Sequence, residues 1–200
     1  LENGSITYGD LVLRGESKKE ILFSTYLCHP SMANNELSGP LCLAFLYQKI
    51  KQLKKRKYTY RFIVAPETIG TIAYLSKYGM DLKDNLHAGY VMTCCGDNAP
   101  FIYKRSKNEN SLTDRLAHHV LKHQKLKYKS IPFSVGGSDE RQYCSPGFNM
   151  PVGSLTRSIY QSYKEYHTSL DNFDLVNEEG LLGGFKIVKS SIEDILKLKI

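Results

Sequence analysis

Residues 24–39 read STYLCHPSMANNELSG, from Ser24 to Gly39, and the reading of this stretch decides the fold. An apolar run, Ile21–Leu27, reads as a buried strand. It delivers His29 into an irregular loop holding Pro30, Ser31, Asn34, Asn35 and Glu36, and a long helical pattern opens at Ser38. A strand that ends in a His and a polar loop, ahead of a helix, is how α/β proteins set ligands at the carboxyl edge of a sheet. Taken alone, a His near a strand end is more often a hydrogen-bonded structural residue than a ligand.

Upstream, Asp10–Arg14 alternates as a short strand, and Gly15–Lys19 reads as a polar hairpin turn into Ile21–Leu27. Downstream, the helix from Ser38 to Lys54 carries Leu41, Ala44, Phe45, Tyr47 and Ile50 at helical spacing. Tyr58–Ala65 is a second central strand, ending at Pro66. Thr68–Tyr78 reads as a helix with Ile69, Ile72 and Leu75 on one face, closed by Gly79. Leu86–Cys94 is a third buried strand and Phe101–Lys104 a short one. Ser111 is a fitting N-cap for a helix to about Gln124. Tyr128–Phe133 is extended, a helical turn covers Arg141–Cys144, Pro151–Leu155 is the last strand, and a closing helix runs from about Asn177 to Lys197. Strands alternate with helices long enough to be crossovers. The expected fold is a three-layer α/β/α sandwich around a mixed, mostly parallel sheet, in one domain over residues 1–200.

Composition narrows the classes. The 200 residues are 42% hydrophobic and 24% charged, ordinary for a soluble globular chain. No apolar run approaches the ~20 residues that span a bilayer, so no membrane partner is expected. The opening LENGSITYGD lacks the basic end and apolar core of a secretion signal. It also lacks an initiator Met, which leaves a piece of a longer chain as an expectation. Five Cys, an odd count in no zinc-finger spacing, fit reduced thiols in the cytoplasm. The net charge of +7 sits largely in Lys51–Lys57 and Lys122–Lys129. No aromatic-interleaved basic motif accompanies it, so a solvated surface is expected and nucleic acid is not.

Four polar points then stand at element boundaries: His29 with Asn35, Glu67 after VAP, Asp139 in GGSDER, and His167 in EYHTSLDNFD. Two His and carboxylates gathered at one sheet edge are the donor set of zinc hydrolases. The order and wording of these segments, from His29 to Asp174, resemble co-catalytic zinc exopeptidases of the bacterial leucyl-aminopeptidase type, and most closely their aminopeptidase-like branch of uncertain function. The resemblance implies metal binding by His29, Asp139 and His167, with Glu67 as general base. It implies an amide substrate, a peptide or aminoacyl amide with a free amino terminus. Asn35 stands where the family has a metal-bridging Asp, and Thr68 where it has a second metal-binding Glu. Each change removes a unit of first-shell negative charge, so at most one zinc is expected rather than two. Replacing Asn35 by Asp and Thr68 by Glu is then expected to raise the count toward two. A non-catalytic binding module that lost part of the metal site is the alternative.

Other residues carry lesser expectations. Tyr103–Ser106 with Arg141 form either an anion pocket or a solvated surface. Tyr160, Tyr163 and Tyr166 recur every third residue before His167, either as a cleft wall for substrate or as loop packing. Cys144 reads as a structural thiol. His119 and His123, four apart on a helix with no Glu of a metalloprotease word between them, read as surface histidines.

Overall fold

The computed structural model describes residues 4–125 and 127–197, with side chains through residue 193. Residues 1–3 of the opening stretch, and Leu126 in the second basic segment, lie outside them. Seven strands form one sheet: β1 (Gly9–Leu13), β2 (Glu20–Tyr26), β3 (Thr59–Ala65), β4 (Leu86–Met92), β5 (Phe101–Lys104), β6 (Tyr128–Ile131) and β7 (Val152–Thr156). Their spatial order is β1-β3-β2-β4-β7-β5-β6. Parallel pairing runs through β3, β2, β4 and β7 and recurs between β5 and β6, while β1–β3 and β5–β7 are antiparallel. The sheet is mixed and mostly parallel, as the pattern predicts.

Among the described residues five α-helices cover it: α1 (Ser38–Lys51), α2 (Ile69–Asn85), α3 (Leu112–His123), α4 (Glu140–Tyr143) and α5 (Glu178–Lys197). On one face Leu43, Leu46, Leu116, Val120 and Ile187 of α1, α3 and α5 pack on Phe23, Tyr60 and Tyr90. On the other, Tyr74, Leu75 and Leu82 of α2 and Tyr143 of α4 pack on Leu22, Ile63 and Val91. With helices on both faces, every residue of β2 is buried, which is why its sequence reads as a continuous run rather than an alternation. Ser111 caps α3 in a reciprocal box with Asp114. Among the described residues no helix is long and apolar enough to cross a membrane.

Three local expectations are corrected. β1 does not form a hairpin with β2; it pairs with β3. The Gly15–Lys19 segment steps over the start of β3 instead, where Glu16 and Ser17 donate N–H to the carbonyls of Arg56 and Lys57. The buried face of α1 is Cys42, Leu43, Leu46 and Ile50, whereas Leu41 and Phe45 are exposed. Apolar residues ring this helix, so spacing alone could not choose the face. α2 runs through Gly79 to Asn85, and Ile69 and Ile72 point outward. Gly79 is a close-approach site: an added Cβ would stand 2.4 Å from the Phe148 ring.

Gly39 matters for the site because it seats the start of α1 on the sheet. A Cβ there would lie 2.2 Å from Thr25 Oγ1 and 2.6 Å from the Met92 carbonyl oxygen, and that hydroxyl already bonds that carbonyl at 2.7 Å. Gly39→Ala is expected to lower stability by about 1–3 kcal/mol through overpacking. A urea unfolding midpoint unchanged from the parent would contradict this.

Candidate functional site

β2, β3, β4 and β7 run parallel, so their carboxyl ends open on one edge, and the chain leaves each with a functional residue. After β2 the backbone N–H of His29 donates to Glu36 Oε2 at 2.7 Å, and the ring Nδ1 lies 3.2 Å from the same oxygen. Cys28 Sγ is 3.4 Å from that Nδ1. A single π-helical turn, Ala33–Leu37, then turns Asn34, Asn35 and Glu36 inward, all buried. Its free backbone donors are met by Asp171, a fully buried carboxylate that accepts from Asn34 N–H at 2.6 Å and Asn35 N–H at 3.0 Å. The Asp of the HTSLD word thereby clamps the last loop onto the first.

After β3 the chain makes a γ-turn. Ile69 N–H bonds the Glu67 carbonyl at 2.7 Å, with Thr68 between them at φ +63° and ψ −70°. A β-branched residue there holds strain on the order of 1–3 kcal/mol. The turn is fixed from both sides of Thr68. Its N–H donates to Asp139 Oδ1 at 2.7 Å, and its hydroxyl accepts from Arg141 Nη2 at 2.9 Å. Glu67, 28% exposed, projects its carboxylate to 3.9 Å from His29 Nε2, and its own N–H donates to Cys28 Sγ at 3.2 Å.

Asp139 reaches the same point from the α4 layer. It is fully buried, and its Oδ2 has no partner in hydrogen-bonding geometry. Burial, reinforced by the Glu67 and Glu140 charges, pushes its carboxyl up to about 7 against the bond from Thr68; the Thr71 hydroxyl favours the charged form without meeting that geometry. Beside it Glu140 is fully buried and paired with Lys104, Nζ to Oε1 2.8 Å, itself 2% exposed. Lys104 also bonds the Gly136 carbonyl and lies 3.4 Å from Tyr160 OH. Gly137, at φ +128°, leaves no room here for a Cβ, which would stand 2.0 Å from that hydroxyl. The anion pocket considered for Tyr103–Ser106 is therefore not formed. Lys104 is neutralised by Glu140, Ser106 bonds Asp114, and Arg105 pairs with Glu109. Only Arg141 of that group stands at the site.

After β4 and β7 come Cys94 and the Tyr-rich loop. Thr93 Oγ1 donates to Tyr26 OH, and Tyr26 OH donates to Asn35 Oδ1, each at 2.5 Å. Cys94 Sγ approaches the same Asn35 oxygen at 3.4 Å and Tyr163 OH at 3.7 Å. Thr93, Tyr26 and Asn35 thus form one hydrogen-bonded chain beneath the site. The Asn35 oxygen accepts from Tyr26, and its Nδ2 is buried without a partner. His167, at φ +54°, stacks on Tyr166 with centroids 3.9 Å apart and lies 5.0 Å from the His29 ring.

All seven residues singled out in the sequence, His29, Asn35, Glu67, Asp139, Arg141, Tyr163 and His167, fall in one connected region. Coordination spacing is another matter. Among the described residues, one set of three His, Cys, Asp or Glu side chains has its donor atoms within 4.8 Å of one another, and it is Cys28, His29 and Glu36. His29, Asp139 and His167 do not close to that spacing. Their chemistry still suits a single cation: two imidazoles and the Asp139 carboxyl, whose Oδ2 is buried without a partner and which burial pushes upward. Glu36 and the Lys104–Glu140 pair were not anticipated. Glu36 had one signal, an acid amid the Asn residues seven positions after His29. Lys104 had none.

This α/β/α sheet, with His, Asp and Glu side chains at the carboxyl edge of its parallel strands, matches the fold of aminopeptidase-like neighbours. Residues 1–197 match the family described as a domain of unknown function (DUF4910), and the chain belongs to it. It is similar to a Clostridium acetobutylicum protein described as a candidate polysaccharide biosynthesis protein with an aminopeptidase-like domain, at 47% identity over 186 residues, covering 93% of this chain and 42% of that one. The crystal structure of a candidate peptidase of Clostridium acetobutylicum superposes with a TM-score of 0.90 at 44% identity, covering 94% of this chain and 44% of that one. BSAP, a zinc aminopeptidase of Bacillus subtilis, superposes at 0.76 with 13% identity, over 94% and 49% of the two chains, which is likeness of fold. The chain spans less than half the length of the Clostridium relatives it matches.

Proposed function

We propose that this chain is a zinc-dependent, aminopeptidase-like hydrolase of amide bonds, acting on a peptide or aminoacyl amide with a free amino terminus. The observation that carries this reading is Glu67, a solvent-reachable carboxylate 3.9 Å from His29 Nε2, on the edge that also carries Asp139 and His167. His29, Asp139 and His167 would hold one zinc. Zinc, when bound, supplies polarisation of the carbonyl and a water acidified toward neutral pH. Glu67 takes the water's proton on its carboxylate and returns it to the leaving amine. Asp171 and the Thr68 turn hold the two loops that carry these groups. Arg141 and Tyr163 line the substrate side, and Asn35 supports the floor through Tyr26. Five free cysteines support a reducing, cytoplasmic setting, with neither nucleic acid nor membrane as partner.

The test is elemental analysis of the untagged protein, followed by hydrolysis of aminoacyl amides after zinc or cobalt addition. At most one zinc per chain and metal-dependent hydrolysis are expected. Two zincs would point to an intact dinuclear enzyme. No metal uptake at excess zinc, with no hydrolysis, would point to the non-catalytic module. Arg141 bears on the rebuilding of the second metal site. In Asn35→Asp/Thr68→Glu, a carboxylate at position 68 meets Arg141, whose guanidinium already bonds the Thr68 hydroxyl at 2.9 Å. The double variant is therefore expected to stay at one zinc, and to approach two only when Arg141→Ala is added. Two zincs in the double variant alone would show that Arg141 does not capture the new carboxylate.

A further inference from the structure

His29 offers its two ring nitrogens to two different donor sets. Nε2 faces Glu67 at 3.9 Å, whereas Nδ1 lies 3.2 Å from Glu36 Oε2 and 3.4 Å from Cys28 Sγ. The sulfur, nitrogen and oxygen on the Nδ1 side all lie within 4.8 Å of one another. Zinc bonds of ~2.0 Å to nitrogen, ~2.1 Å to oxygen and ~2.3 Å to sulfur give tetrahedral N–O and N–S edges of roughly 3.4 and 3.6 Å. The two separations measured from Nδ1 are within a few tenths of an ångström of those edges. Cys28 is an exposed free thiol, so an ion can reach the set from solvent. Among the described residues His29 is the ion-pair partner of both Glu36 and Glu67, and no Lys or Arg lies within ion-pair distance of either carboxylate.

We propose that Cys28, His29 Nδ1 and Glu36 form a second cation site, for a thiophilic divalent ion such as zinc or cadmium, and that filling it excludes a metal at His29 Nε2. A neutral imidazole has one lone pair. With an ion on Nε2 the ring proton sits on Nδ1 and is donated to Glu36, a carboxylate–imidazole pairing that orients the ring. With an ion on Nδ1 the proton sits on Nε2, and the ring is lost to the Glu67 side. Binding at Nδ1 forms metal–sulfur, metal–nitrogen and metal–oxygen bonds, expels waters from the ion and releases the Cys28 thiol proton to solvent, with no change of oxidation state. A water or a fourth ligand completes the shell. The exclusion rests on the hydrolase reading above; the existence of the three-donor site does not. Where that reading holds, thiophilic ions switch the enzyme off while one ion per chain stays bound.

Cadmium titration of metal-free protein under a phosphine reductant tests this directly. A thiolate-to-cadmium charge-transfer band in the ultraviolet, saturating at one per chain, is expected. Cys28→Ser is expected to abolish the band and weaken cadmium binding at least tenfold, and Glu36→Gln to weaken binding while keeping the band. Protection of Cys28 from alkylation by cadmium, mapped by mass spectrometry in the unmodified protein, gives a second readout that needs no variant. Absence of the band at saturating cadmium, an undiminished band in Cys28→Ser, or unprotected alkylation would overturn the proposal. A band in a protein that hydrolyses nothing under any metal would remove the hydrolase reading and leave this site standing. Hydrolysis without the band would do the reverse.

Discussion

Glu67→Gln is expected to lower kcat for aminoacyl amide hydrolysis by about 10²–10⁴-fold, the range of a lost general base, with KM little changed. Gln keeps the length and shape of the side chain and the backbone bond from residue 67 to Cys28 Sγ, so the fold is not at stake. What disappears is the group that accepts a proton. Zinc content separates the two roles this residue could hold. If Glu67 is the base, the variant binds the same amount of zinc and is slow. If it is a metal ligand, zinc and rate fall together. Unchanged rates would remove Glu67 from the chemistry altogether. The γ-turn at Thr68 bears on the same point. A residue held at φ +63° by bonds to Asp139 and Arg141 fixes where the preceding carboxylate can point, and pre-set geometry of this kind is what a proton-transfer group needs.

The fold was legible because its signals are local. The apolar run from Ile21 marks a strand buried on both faces, Leu86–Cys94 holds one that is buried from Ala88 on, and Ser111 with Asp114 marks a helix start whatever surrounds it. What failed depended on neighbours the sequence does not declare. Whether Gly15–Lys19 closes a hairpin is decided by β3, which inserts beside β2 from over thirty residues downstream. The choice between Leu46 and Phe45 as the inward residue of α1 is decided by how the π turn and α5 seat the helix. The candidate site shows the same division. His29, Glu67, Asp139 and His167 stand out in the sequence because each follows a strand or occupies a boundary loop in a recognisable word. Asn35 gives no local sign of the Thr93–Tyr26 chain that meets its oxygen, because that chain joins residues 67 positions apart.

Lys104→Met is expected to destabilise the protein by about 3–5 kcal/mol, the penalty for breaking a buried ion pair from one side. Lys104 sits in a strand where every sequence cue allowed a solvated cation, yet it is 2% exposed and its partner Glu140 is wholly buried. Met fills the stem's volume but leaves Glu140 without its countercharge and the Gly136 carbonyl without its donor. Burial already pushes the Glu140 carboxyl upward against the opposing pull of Lys104, so the variant removes the main support for the charged form. Adding Glu140→Gln removes the stranded charge, and the double variant is expected to recover at least half of the loss, since a neutral buried pair no longer carries a desolvation penalty for ions. The two changes should also be non-additive, as contacting residues are. The consequence reaches the site because Gly136 and Glu140 bracket the segment bearing Asp139: loosening it is expected to weaken zinc retention even where the fold survives. Urea unfolding of the single and double variants gives the energies, and zinc content at matched folded fraction gives the coupling. A Lys104→Met protein within 1 kcal/mol of the parent, or one that loses stability while holding zinc as tightly as before, would show that the pair does not anchor Asp139.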